Sequence, residues 1–103
     1  MAYTPYHNIL GSNGVVQVLI EKGEGPGSVK NLTITNTHAS NEATVNLSIR
    51  NLTTGGESYY IIKNLVIAID ATYNVPIPFF NNKVYSLVIT LGGTSETVDV
   101  IIT

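Results

Sequence analysis

Thr44-Val45-Asn46-Leu47-Ser48-Ile49-Arg50-Asn51, followed by Leu52-Thr53-Thr54-Gly55-Gly56 and then Glu57-Ser58-Tyr59-Tyr60-Ile61-Ile62-Lys63-Asn64-Leu65-Val66-Ile67, is the stretch whose reading decides the fold. In its first part Val45, Leu47 and Ile49 alternate with Asn46, Ser48 and Arg50. That is the period of two of a strand with one face turned inward. Thr54-Gly55-Gly56 closes a hairpin. The returning strand is apolar on both faces, so both need a cover: on one side a second sheet of the same chain, on the other, in part, another copy or a neighbouring protein. Asn64 interrupts this strand and can seat a bulge at which it changes sheets.

The same alternation recurs on either side, with punctuation every 10 to 15 residues or so. Upstream, strands are expected over residues 15–20 and 28–36, separated by the wide turn Gly23-Glu24-Gly25-Pro26-Gly27. Downstream, residues 72–76 read as a short, proline-limited edge strand. Residues 83–91 place Tyr85, Leu87, Ile89 and Leu91 on one face, and Gly92-Gly93-Thr94-Ser95 turns into a last strand over 96–103. No segment repeats apolar residues at helical spacing. The expectation is an all-β, two-sheet antiparallel sandwich of about seven strands, with the strand order left open between immunoglobulin-like and jelly-roll. Its core is expected to hold Leu47, Ile49, Leu87 and Ile89, with Asn46, Ser48, Ser86 and Thr90 facing outward or towards a partner. Residues 1–14 have no such pattern and read as an extended N-terminal arm ahead of a sandwich domain over 15–103.

At 103 residues the chain holds one domain. Its net charge of -2 and scattered cations, Lys22, Lys30, Arg50, Lys63 and Lys83, supply no basic field for a nucleic acid. Charged residues make up 12 % of the chain, about half of what an ordinary soluble domain carries. Asn, Thr, Ser and Gly provide the remaining polarity. Such a surface desolvates cheaply, which suits contact with other protein. With no cysteine, neither a disulfide framework nor a thiolate nucleophile is available. The N-terminal residues lack the basic and apolar regions of an export signal, and no apolar run approaches about 18 residues, so neither export nor membrane spanning is expected.

The residues with catalytic or ligating chemistry do not form a recognisable constellation. His7 and His38 are far apart in the chain and have no ligand spacing around them. No G-x-S-x-G elbow orders a serine nucleophile. The carboxylates Glu21, Glu24, Glu42, Glu57, Asp70, Glu96 and Asp99 fall mostly at strand ends and turns, where charge is ordinarily solvated. The glycine-rich segment 23–28 opens a strand rather than the helix a phosphate loop needs. Asn31-Leu32-Thr33, Asn46-Leu47-Ser48 and Asn51-Leu52-Thr53 match the glycosylation triplet but read more simply as polar residues on sheet faces. No catalytic residue, metal site or cofactor is expected. The aromatics are the candidates for binding. Adjacent Tyr59 and Tyr60, and adjacent Phe79 and Phe80, point to opposite faces of an extended chain, so one of each pair can fill the core while the other anchors a contact or covers an edge strand. Tyr3, Tyr6 and His7 on the arm complete the set of expected partner contacts, with the arm lying on a neighbouring subunit or other protein; a frayed terminus or a strand added to its own sheet is the alternative.

The succession Leu32-Thr33-Ile34-Thr35-Asn36, Thr44-Val45-Asn46-Leu47-Ser48-Ile49 and Tyr59-Tyr60-Ile61-Ile62-Lys63-Asn64-Leu65-Val66-Ile67 resembles small β-sandwich virion proteins of tailed bacteriophages. The similarity spans about residues 28–103 and is one of pattern. The chain departs from it at Ala68-Ile69-Asp70-Ala71, where such proteins often carry a proline and an Ala-Gly turn, and at Asn81-Asn82-Lys83, where they often carry Gly-Asp. The resemblance implies a non-enzymatic structural protein located in the virion and made in the bacterial cytoplasm. It further implies a head decoration or capsid accessory protein, a homo-oligomer with a trimer foremost, whose partners are its own copies and the major capsid protein or other virion proteins. A neck, tail or fibre component, with a receptor- or glycan-binding role, is the alternative it leaves.

Overall fold

The computed structural model describes residues 4–11, 15–53, 56–93 and 96–103. Eight strands follow one another: β1 (Tyr6–Leu10), β2 (Gln17–Ile20), β3 (Val29–Asn36), β4 (Ala43–Arg50), β5 (Ser58–Ile67), β6 (Thr72–Ile77), β7 (Ser86–Leu91) and β8 (Thr97–Ile102). They form two four-stranded sheets, in the orders β1-β8-β3-β6 and β2-β7-β4-β5, with every pairing antiparallel. Every connection but the β4–β5 hairpin carries the chain from one sheet to the other. This is the strand order of a jelly roll, an eight-stranded double sheet built from two Greek keys.

The core lies where alternation places it. Leu47, Leu87 and Ile89 are fully buried between the sheets, as are Leu32, Ile34, Val45, Val98 and Val100, while Ile49 is half-buried against them. Each of these strands pairs on both sides or packs across the sandwich, so its backbone groups are satisfied while its apolar face leaves water. Ser48 and Ser86 keep the outward orientation expected of them, alternating with Leu47, Ile49 and Leu87, but they are buried rather than exposed. Both sit on central strands, Ser48 opposite Val88 and Tyr60, and Ser86 opposite Arg50. A short side chain between longer cross-strand neighbours is shielded on the outer face. Ser86 also accepts a hydrogen bond from the Lys22 backbone N–H at 3.0 Å.

The eighth strand comes from the segment read as an arm. Tyr6–Leu10 pairs along β8, the Ile102 N–H donates to the Pro5 carbonyl at 2.9 Å, and Ile9 is buried in the core. Over these residues the segment belongs to the sandwich and not to a neighbour, because β8 offers an open edge that β1 satisfies. Residues 1–3 and 12–14 lie outside the described residues. Asn64 does adopt a left-handed conformation, with φ of 57°, and the β4–β5 ladder shifts register on either side of Leu47. Its N–H is held by Asn46 Oδ1 at 2.8 Å. The strand does not change sheets there: Leu65, Val66 and Ile67 continue to pair with β4. The β6 strand is an edge, with Val75 and Ile77 inward and Pro76 outward. The strand expected from residue 83 begins only at Ser86, because Val84 and Tyr85 donate their N–H groups to the Asn81 carbonyl in a tight turn.

Candidate interaction surfaces

The outer face of the first sheet is polar and largely self-satisfied. In register across its strands run Tyr6, Ile101, Thr33 and Asn74, and beside them Asn8, Asp99, Thr35 and Thr72. Asn8 donates to Asp99 at 2.7 Å, the Thr35 and Thr72 hydroxyls lie 3.0 Å apart, and Asn74 donates to Asn31 at 2.8 Å. With its polar groups paired side by side, this face can be covered without stranding many of them. Tyr6 stands out of it, 68 % exposed, beside the exposed Ile101. A shallow groove of about 220 Å³ follows the β1–β8 edge here. His7 is not a surface anchor: alternation turns it inward beside Val100, it is half-buried, and its Nε2 is buried without a hydrogen-bond partner.

Tyr59 and Tyr60 are both exposed, at 54 % and 57 %, so neither fills the core. Tyr60 faces outward in register with Ser48. Tyr59 has the inward orientation, in register with Ile49, but lies at the rim, where its ring meets Tyr85 edge-on at 5.9 Å and 82°. The Tyr85 hydroxyl donates to Glu57 Oε1 at 3.2 Å. Desolvation first, then the neighbouring Glu57 carboxylate, holds that phenol above its ordinary pKa. Lys63 Nζ lies 5.3 Å from the centre of the Tyr60 ring, a cation–π contact on the outer face.

The second aromatic pair divides as expected. Phe79 is 80 % exposed, the barest large apolar side chain described, whereas Phe80 is in the core. Phe80 is therefore not a partner contact. Its N–H donates to the Gly27 carbonyl at 2.7 Å, which ties the β6–β7 loop to the β2–β3 loop and drives the ring inward. Tyr3 lies outside the described residues. The fold brings the remaining candidates together in no single platform: Tyr6 is on the first sheet's outer face, Tyr59 and Tyr60 are on the β5 edge, and Phe79 is in a loop. Among the described residues no three His, Asp or Glu side chains converge on a metal-sized site.

No family model, curated protein or solved structure matches this chain.

Topology reveals a feature that the linear sequence hides. The strands β2, β7, β4 and β5 contain Arg50 and Lys63 and no carboxylate, and both cations alternate onto the outer face, where Arg50 lies in register between Ser58 and Ser86. The described loop residues at one end of the sandwich, 11, 15–16, 37–42, 68–71, 92–93 and 96, carry Glu42, Asp70 and Glu96 and no lysine or arginine. These acids are distant in sequence, and only the strand order puts their loops at a common end. Asn36 holds two of the loops together: its amide donates to the carbonyls of Asn41 at 2.9 Å and Ile67 at 3.0 Å, and its Oδ1 accepts from the His38 N–H at 2.9 Å. At the opposite end Arg50, Asn51, Leu52, Gly56, Glu57 and Ser58 line a groove of about 300 Å³ at the mouth of the β4–β5 hairpin.

Proposed function

We propose that this protein is a non-enzymatic structural component of a tailed-bacteriophage virion. In this reading it is a head decoration or capsid accessory protein that acts as a symmetric oligomer on the particle, in contact with the major capsid protein or other virion proteins. One observation carries the reading: the outward aspect of the sandwich. Its eight strands hold only four charged residues, Lys30, Arg50, Lys63 and Asp99, while Tyr6, Tyr60, Val66 and Ile101 project from them into solvent. Scattered exposed apolar side chains are ordinary on a monomer. Combined with paired polar side chains and so few charges, they make faces that are cheap to desolvate and apolar enough to reward it.

The area allows more than one contact per copy. The chain exposes 5638 Å², and a standard interface takes about 800 Å² from each partner, about a seventh of that surface. Jelly rolls serve both viral capsids and lectins, so the strand order accommodates this reading without selecting it. A tail or fibre module that binds a receptor or glycan is the second reading, favoured by the hairpin groove with Arg50, Asn51 and Glu57 beside the Tyr59–Tyr85 pair. Cryo-microscopy of particles released by the bacterium that carries the gene separates the two. Symmetric copies on the head are the expected result. Density at the tail tip would establish the second reading, and particles free of the chain would overturn both.

A further inference from the structure

We infer that the protein assembles head to tail, the acidic loop end of one copy docking on the outer face of the β2-β7-β4-β5 sheet of a second copy. The inference rests on the self-assembling reading above and deepens it by naming the two surfaces. The first is led by Glu42 and Asp70, both exposed, with no hydrogen bond or ion pair to a described residue. Ile69, exposed beside Asp70, gives this end an apolar contact. Glu96 shares the end but is partly committed, accepting the Thr44 N–H at 3.1 Å. The Asn36 hydrogen bonds and the pairing of Ala43 with Ile67 hold the Glu42 and Asp70 loops side by side, so the two charges act as one patch.

The receiving face has the opposite sign. Arg50 is half-buried with no acceptor among the described residues, flanked in register by two serines. Lys63 is exposed and held over the Tyr60 ring. Between these cations stands the exposed Tyr60, and the exposed Val66, opposite Thr44, lies beyond Lys63 on the same strand. Complementary potentials of this kind fix partner orientation and speed encounter, and like-charge docking of the same face on itself is penalised. Because the two surfaces differ, the contact is heterologous. Such contacts close into rings when the rotation allows, and a ring of three is one such closure.

Two variants and salt test this. One carries Arg50→Glu with Lys63→Glu; the other carries Glu42→Lys with Asp70→Asn, asparagine being chosen because Asp70 has φ of 62° and asparagine tolerates that region. Self-association is measured by sedimentation velocity at low and high salt, and circular dichroism checks the fold. Should the double variant at the half-buried Arg50 not fold, Lys63→Glu alone, at an exposed site, replaces it. The expected result is an association constant about tenfold or more lower for each variant, and lower for the wild type as the Debye length falls from about 10 Å at 0.1 M to about 3 Å at 1 M salt. When the two variants are mixed, association should return in pairs and even-numbered assemblies, in which the two alternate and every contact joins opposite charges. Wild-type association unmoved by either variant or by salt would overturn the docking surfaces while leaving self-assembly intact. A wild type that stays at 11.1 kDa throughout would remove self-assembly itself, and this inference with it.

Discussion

Replacing Asn36 with alanine tests whether one buried amide holds the acidic end together. Asn36 closes β3, is 1 % exposed, and makes three hydrogen bonds through its side chain: to Asn41, to Ile67 and from His38. The bond to the Ile67 carbonyl is buried, and the other two are partly so. Each bond contributes about 0.5 to 1.5 kcal/mol net, and a buried group left unpaired costs about 1 to 3 kcal/mol. Water can replace the amide at Asn41 and His38 more readily than at Ile67. The loss is therefore put at about 2 to 4 kcal/mol, a large part of the roughly 5 to 15 kcal/mol that stabilises an ordinary domain. Urea unfolding measures it: with a slope of about 1 to 3 kcal/mol/M, the midpoint should fall by about 0.7 to 4 M. Asn36→Asp keeps the shape and the acceptor but removes the donor, and should destabilise by at least as much at neutral pH. A loss below about 1 kcal/mol for alanine, or an aspartate variant as stable as the wild type, would refute the reasoning that this amide carries the junction.

Three further outcomes follow from the packing. Leu47→Ala opens a cavity in a fully buried site between Ile62 and Ile89 and should cost about 2 to 5 kcal/mol by denaturant titration; a loss under about 1 kcal/mol would mean that the register is wrong. Asn64→Val forces a β-branched residue into a left-handed position and should cost about 1 to 2 kcal/mol, whereas Asn64→Gly should fall within about 1 kcal/mol of the wild type; equal effects would argue against the bulge. Removing residues 1–12 strips β1 from β8 and takes Ile9 out of the core, so the melting temperature should drop by several degrees or the chain should fail to fold; an unchanged melting temperature would restore the segment to a free arm.

Much of the sandwich was legible because burial on one face leaves a period of two in the chain, as Val45, Leu47 and Ile49 and again Val98, Val100 and Ile102 show. Asn64 announced its bulge because asparagine is among the few residues that enter the left-handed region cheaply. β1 was not legible: of Tyr6–Leu10 only Ile9 is buried, and what recruits the segment is the open edge of β8, which no local pattern in residues 1–14 records. The burial of Ser48 and Ser86 and the exposure of Tyr59 arise likewise from neighbours across the sheet and from position at its rim. Strand order escaped the sequence because alternation is the same whichever strands pair. With strand order went the charge arrangement, since Glu42, Asp70 and Glu96 reach a common end only once the chain has crossed between sheets several times.

The central claim is that the chain assembles with itself through weakly charged faces, and the mass of the purified protein in solution tests it most directly. Light scattering on a gel-filtration peak at micromolar concentration and low salt should give a stable multiple of 11.1 kDa. A single species at the monomer mass, unchanged as concentration rises, would contradict the account.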